Sequence, residues 1–446
     1  MTTIRFHDAL RLAAQALQSL KLPAEPGVRL VRDMYGRLRF AVNCVAADFP
    51  VPASEALQAA QTALGPYATS TELLFRDSFS NPDKFFEQPN WLRTTVAMGT
   101  DEDGEPLPTA EVLLLDRMVT GQDWLQPAHA TGKHPHRLVF YGLKGGVGRS
   151  TALCMVAWGL ARQGKRVLLV DFDLESPGLS GLILPAERAA EFGVTDWLVE
   201  DGVGQSESVL ESMVSMSPLG ETTQGSVRVA AAMGQKEGDY LSKLARAYAD
   251  IPSEHGPQRL GERLRRMVVA LEQREQPDVV LIDSRAGLHD LAAAAITGLA
   301  DTALLFATDG EQTWQGYRQL FTHWQRRPTV VREVRERLAI VRALTPKSDR
   351  ETGVKRFQRK AYELFAETLY DSIPQGTVEA EGDYFHPIEA DQAAPHFPIL
   401  VDWDERFQEF NPGLRAENGG VTEAQVDATF GALIQWVSQR IQEEQV

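Results

Sequence analysis

Cysteine is nearly absent from this 446-residue chain: Cys44 and Cys154 stand far apart, with no C-x-x-C pair and no Cys/His ligand spacing. That excludes a disulfide framework and a finger-type zinc site, and it argues against an iron–sulfur reductase. No apolar run approaches the roughly 20 residues that a membrane-spanning helix needs, and no signal-peptide pattern is present. These absences lead us to expect a reduced, cytoplasmic location. Positive charge is also short, with 45 Lys and Arg against 61 Asp and Glu, a net of −16. That argues against a whole-surface nucleic-acid binder and leaves room for a local basic patch. The length and an apolar fraction of 43% leave room for two or three ordinary globular domains.

What the chain does have is concentrated in residues 137–180. Leu138-Val139-Phe140-Tyr141 is almost wholly apolar, as a buried parallel strand should be. Gly142, Gly145, Gly146 and Gly148 follow, with Lys144 and Arg149 among them. Glycine lets a backbone turn tightly and bring its N–H groups close to a ligand. Ser150 and Thr151 open a run with helical period, and a helix N-terminus attracts phosphate. Arg166-Val167-Leu168-Leu169-Val170 reads as a second buried strand, ending in Asp171-Phe172-Asp173. Strand, glycine loop, helix, strand and acids make a βαβ unit suited to a phosphate and a Mg²⁺ ion.

The loop does not fit the ordinary pattern G-x-x-x-x-G-K-[ST], because Leu143 and Arg149 stand at two of its fixed positions. With one departure, Arg149 for lysine, it fits K-G-G-x-G-K-[ST]. On these residues the chain resembles the ParA/MinD-type deviant Walker A ATPases. The resemblance implies a doubly wound, mostly parallel P-loop sheet of the SIMIBI type, with ATP and Mg²⁺ as ligands. It assigns nucleotide contacts to Gly145, Gly146, Val147, Gly148, Arg149, Ser150 and Thr151. Lys144 matches the signature lysine that reaches across a dimer to the partner's nucleotide. Ser150 and Asp171 match metal-side positions, and Asp173 matches the switch I acid that orients the attacking water. Residues 278–287 match the Walker B and switch II segment, in which Asp283 supports Mg²⁺. The family usually places two prolines before that glycine, and here they are Arg285 and Ala286. Arg149 keeps the loop's charge but is longer and planar. Two readings follow: retained, slow hydrolysis with Lys144 and Arg149 as cations, or nucleotide binding without turnover.

The remaining chain is read from pattern. Residues 8–20 and 53–64 have helical periodicity, and two apolar runs around Asp33-Met34-Tyr35-Gly36 read as a hairpin. Residues 91–97 and 110–115 read as strands flanking a polar loop at 101–106. We expect an α+β domain over 1–125, a linker over 126–136 and an ATPase domain over 137–446. Asp116-Arg117 and Asp123-Trp124 are either a binding surface or a structural cap. His134 and His136 fall in the linker, as solvated residues or, less in keeping with their neighbours, as metal ligands. Further helices are expected over 186–198, 240–248 and 257–275, and strands over 226–232, 303–308 and 338–344. In the family an Asn after the last of these often reads adenine. Here the stretch is Arg342 to Pro346, which leaves adenine against guanine open.

Between residues 318 and 360 the balance reverses, with thirteen bases against four acids, a net of +9. This segment is either a nonspecific DNA contact, as the resemblance implies for partitioning relatives, or a solvated face paired internally. Residues 371–412 are irregular and hold Tyr384, Phe385, His386, Phe397 and Trp403. Thr422 and Gln425 fit a capping box ahead of a closing helix with an apolar stripe. That helix is poor in bases, so a membrane contact of the MinD kind is not expected. The function expected is an ATP-dependent homodimerisation switch in a bacterial regulatory or defence system, with a protein partner for the N-terminal domain. A nucleotide sensor, or a small-molecule ligase of the dethiobiotin synthetase kind, are the alternatives.

Overall fold

The computed structural model describes residues 3–20, 27–100, 105, 107–126, 133–235, 239–253, 257–348, 350–373, 384–408 and 420–443. Most of the expected 126–136 linker and of the 101–106 loop lies outside these residues. The chain divides into two compact units, Met1–Gln122 and Asp123–Val446.

In the first unit Val28–Arg32 (β1) and Leu38–Val42 (β2) pair antiparallel. Asp33 sets their turn by accepting the N–H groups of Tyr35 and Arg37, both at 2.9 Å, while Gly36 takes a φ of 82°. Trp91–Val96 (β3) pairs antiparallel with Ala110–Asp116 (β4), and β4 runs parallel to β1, giving the order β2-β1-β4-β3. Alternate residues leave opposite faces of a strand. Leu30, Phe40 and Leu114 join the helices Phe6–Leu20 and Val51–Ala63 in one core, whereas Val31, Ala41 and Leu115 meet Phe85 and Phe86 in another. Asp116 is bound to Arg32 at the sheet's end, with Arg32 Nε donating at 2.9 Å, so it caps the sheet.

The second unit holds one eight-stranded sheet. Its strands are His136–Gly142 (β5), Arg166–Asp171 (β6), Ser215–Met216 (β7), Ser226–Ala230 (β8), Val279–Asp283 (β9), Thr302–Ala307 (β10), Leu338–Thr345 (β11) and Ile399–Asp402 (β12). Their order is β12-β11-β10-β5-β9-β6-β8-β7, and every neighbouring pair is parallel except β7 with β8. The α/β, doubly wound, mostly parallel sheet is therefore as expected. Both faces are covered, which is why its strands read as continuous apolar runs. Leu138 and Phe140 enter the core shared with the helices Arg149–Arg162 and Glu423–Glu443, whereas Val139 and Tyr141 enter the core on the other face. From β5 the chain first builds β6 and β8 on one side and later β10 to β12 on the other. The loop after β5 therefore sits at the point where the winding reverses, where parallel sheets place ligands.

Several local expectations need correction. His136 is not a linker residue: it opens β5, buried, with Nε2 3.1 Å from Thr302 Oγ1. Asp123–Leu125 goes with the second unit because Trp124 packs between Tyr141 and Trp324, at centroid distances of 6.1 and 5.9 Å. The helix expected over 186–198 is a turn at Ala186–Arg188 and a separate helix Val194–Asp201. The backbone between them is extended at Ala189, with ψ 144°, and at Gly193, with φ −126° and ψ −175°, the N-cap of the second helix. Two edge strands, β7 and β12, were not foreseen. The closing helix does form behind its capping box: Thr422 N–H donates to Gln425 Oε1 at 2.8 Å, and Gln425 N–H to Thr422 Oγ1 at 3.3 Å. Its stripe is buried against Arg149–Arg162, and among the described residues no helix is long and apolar enough to cross a membrane.

Candidate functional site

The glycine loop leaves the buried end of β5 and delivers the chain into the helix Arg149–Arg162. Gly146 and Gly148 adopt φ values of 75° and 74°, which side chains with a Cβ disfavour. A Cβ added at Gly145 or Gly146 would meet nothing within 4 Å, so the loop's outer side borders open space. The free N–H groups of the helix's first turn lie at the same place. Val147 is buried under the loop, while Lys144 is exposed and donates to the Gln312 side chain.

The acids converge beside the loop because β6 and β9 are neighbours, with Asp171 paired in register to Asp283. Asp171 is fully buried. Its two oxygens accept the N–H groups of Asp173 at 2.9 Å and Leu179 at 3.2 Å, so it holds the following loop in place. Burial, and then the Asp283 charge, push its carboxyl above the usual range. Burial also raises Asp283, with Arg149 and Ser150 working against that rise. Arg149 does not lie along the loop's outer side. It is buried, with Nε donating to Asp283 Oδ1 at 2.6 Å and Nη2 to Asp173 Oδ2 at 3.1 Å. Burial disfavours its charge, but the two carboxylates outweigh that and raise its pKa.

Mg²⁺ takes oxygen ligands and at phosphate sites needs only one or two carboxylates besides water and phosphate. Ser150 and Asp283 fit that set, and Asp283 Oδ2 is buried without a hydrogen-bond partner. Asp171 is turned to the backbone instead. Among the described residues no group of three or more His, Cys, Asp or Glu side chains is arranged to hold a metal by itself.

A cavity of about 250 Å³ opens beside the loop, walled by Gly146, Gly148, Thr151, Leu344, Trp403 and Phe407 among others. Leu344 has a φ of 51°, a left-handed conformation that costs a branched residue about 1 kcal/mol. The cavity joins the stretch at 342–346, expected to face the base, to the irregular 371–412 region. Of that region, 374–383 and 409–412 lie outside the described residues. Phe407 was missed, and so was a second polar cluster. There Glu175, just after Asp173, accepts from Arg285 and Tyr248, with His289 Nε2 3.7 Å away. The neighbouring of β6 and β9 brings Glu175 to Arg285 and His289, and Tyr248 joins them from the end of the helix Tyr240–Ala247. The one sequence signal was Arg285 itself.

The basic segment is largely paired. Arg335 is buried and bound to Asp371 at 2.8 Å, and Arg327 donates to the Leu125 carbonyl at 2.7 Å. Arg356 and Lys360 share Asp309, while Lys355 and Arg359 pair along their own helix with Glu351 and Glu363. Arg332 and Lys347 are exposed.

Residues 136–233 match a family model described as an AAA domain. The chromosome-partitioning ATPase Soj of Thermus thermophilus is 50% identical over 52 residues, which is 12% of this chain and 21% of that protein. The chain thus spans about a fifth of the length of the curated relative it matches. Among solved structures, pNOB8 ParA bound to nonspecific DNA is similar at 18% identity, covering 69% of this chain and 99% of the other with a TM-score of 0.42. A ParA family ATPase from Chlorobium tepidum TLS is similar at 14% identity, covering 68% and 98%, with a TM-score of 0.41.

Proposed function

We propose, on the premise that residues 136–233 are ParA/MinD-type P-loop ATPase sequence, that the chain is a cytoplasmic ATPase working as an ATP-dependent dimerisation switch. The observation that carries the reading is one convergence. A glycine loop with left-handed Gly146 and Gly148, the acids Asp173 and Asp283, and an open cavity all meet at the point where the sheet's winding reverses. Loop N–H groups from Gly145 to Thr151 would take the phosphates, and the cavity would take the base. Mg²⁺, held by Ser150 and Asp283, would supply neutralising charge. Asp173 would orient water for in-line attack, and Lys144 would contact the nucleotide of a second subunit. The N-terminal unit would bind a protein partner, in a regulatory or defence setting. Nonspecific DNA would meet the exposed bases Arg332 and Lys347.

A second reading, a nucleotide sensor with little turnover, is favoured by one fact: Arg149 is spent on Asp283 and Asp173. Light scattering with ATP·Mg²⁺ tests the switch. Lys144→Ala should bind ATP and stay monomeric, while Asp173→Ala should bind ATP and accumulate as a dimer. If the wild type and Asp173→Ala both stay monomeric at saturating nucleotide, the switch reading fails and the sensor takes its place.

A further inference from the structure

Among the motif positions at which the chain departs from its resemblance, two are filled by arginine: Arg149 in the glycine loop and Arg285 before Gly287. Both reach the same short segment after β6. Arg149 binds Asp173, and Arg285 binds Glu175 two residues on. Arg149 also binds Asp283 at the end of β9, so its guanidinium lies between Asp283, on which a divalent cation at this site would depend, and Asp173, the acid placed to orient water. The side chains involved are 8% exposed for Arg149, 14% for Asp173 and 1% for Asp283. Two buried carboxylates so close together need a countercharge, since an unpaired buried charge is costly. The guanidinium supplies it, with two of its N–H groups matched to two separate carboxylates.

We propose that Arg149 is the resident cation of this site, and that a divalent metal enters only by displacing it from Asp283 and Asp173. An ammonium at the end of a lysine is a compact point charge without the planar fork, so a lysine at this position would not match two carboxylates with separate nitrogens in this way. Arg285 ties down the same segment through Glu175, two residues after the Asp173 that Arg149 holds. The chain's own cation already offsets the carboxylate charge at Asp283, so a metal there competes with the guanidinium for that carboxylate. The inference takes from the nucleotide reading only the position of the metal.

The test uses Mn²⁺ alone, without nucleotide, and follows free Mn²⁺ by electron paramagnetic resonance on the full chain. Wild type should show no site tighter than millimolar. Arg149→Gln, which keeps a donor but no charge, and Arg149→Ala should each bind one Mn²⁺ at least ten-fold more tightly. Adding Asp283→Asn should abolish that gain. Equal Mn²⁺ affinity in the wild type and in folded Arg149→Gln or Arg149→Ala overturns the proposal. Should both variants fail to fold, sub-millimolar Mn²⁺ binding by the wild type overturns it and its absence supports it. Because no nucleotide is present, failure here leaves ATP binding standing, and failure of ATP binding leaves this result intact.

Discussion

Gly159 lies in the middle of the helix that follows the glycine loop, and the closing helix packs directly on it. A Cβ at this position would stand 2.7 Å from Ile434 Cγ2, 2.8 Å from Cδ1 and 3.0 Å from Cγ1. Cδ1 can rotate aside. Cγ2 cannot, because it branches from Cβ, and a β-branched side chain in a helix is held to one strongly preferred χ1 rotamer. Gly159→Ala therefore forces the two helices apart or drives Ile434 off its rotamer, an overpacking cost of about 1–3 kcal/mol. Against that stands the better helix propensity of alanine, worth up to about 1 kcal/mol. Subtracting that full gain leaves a destabilisation of about 0–2 kcal/mol, centred on about 1 kcal/mol. Ile434→Leu moves the branch one carbon out, removes Cγ2 and conserves volume, so it should restore most of the loss in the double variant. Urea denaturation of the four proteins gives the coupling energy directly. The function follows the packing, because Thr429 and Phe430 of the same closing helix line the cavity beside the loop. Nucleotide affinity should accordingly fall in Gly159→Ala and recover with Ile434→Leu. A Gly159→Ala protein as stable as the wild type, or more so, would refute the argument from Cγ2.

Two further outcomes are expected. Burial, with the Asp290 charge adding to it, raises the Asp123 carboxyl from 3.8 to about 6. For a raised acid the favourable contribution is complete below the unfolded pKa and is lost as pH climbs through the folded one, here a loss of at most about 3 kcal/mol. Asp123→Asn should then match the wild type near pH 4 and exceed it in melting temperature at pH 8, and an equal gap at both pH values would count against the burial argument. For the basic face, duplex DNA retardation with ATP should weaken as salt rises, by about 0.9 log units of slope per phosphate contact. Arg332→Ala with Lys347→Ala should lower that slope by about two, and a wild type that leaves DNA unshifted at low salt removes DNA from the reading.

The sheet was legible because its strands are buried on both faces: β5, β6 and β9 show 7, 6 and 5 residues with scarcely a polar side chain facing solvent, and periodicity is a sufficient signal for such runs. The edge strands were not, since β7 has 2 residues and β12 has 4, too few for any pattern to declare itself. His136 misled for a related reason: it is a polar residue at the start of an apolar strand, and its contact with Thr302 is made across the sheet. At the site, the residues that turn the loop were readable from glycine spacing, because a left-handed backbone is a local demand. The direction taken by a long side chain is not local. Whether Arg149 runs outward along the loop or inward to Asp283 depends on β9, which lies more than a hundred residues away and becomes a neighbour only through the sheet order.

That dependence also explains why the two arginines at motif positions belong together. Asp171, Asp173, Glu175 and Asp283 crowd the ends of two adjacent strands, and Asp171 is already shielded by backbone N–H groups. Three acids remain to be balanced, one of them nearly inaccessible to water. Arg149 takes Asp283 and Asp173, and Arg285 takes Glu175 with help from the Tyr248 hydroxyl. If Arg285 were a proline, Glu175 would lose its cation and the segment that carries Asp173 would lose a tie. If Arg149 were a lysine, one ammonium would face two acids that a planar fork now satisfies at separate nitrogens. Each arginine thus makes the other tenable. A chain carrying both substitutions sits in a different electrostatic state, before any ligand arrives, from one carrying neither.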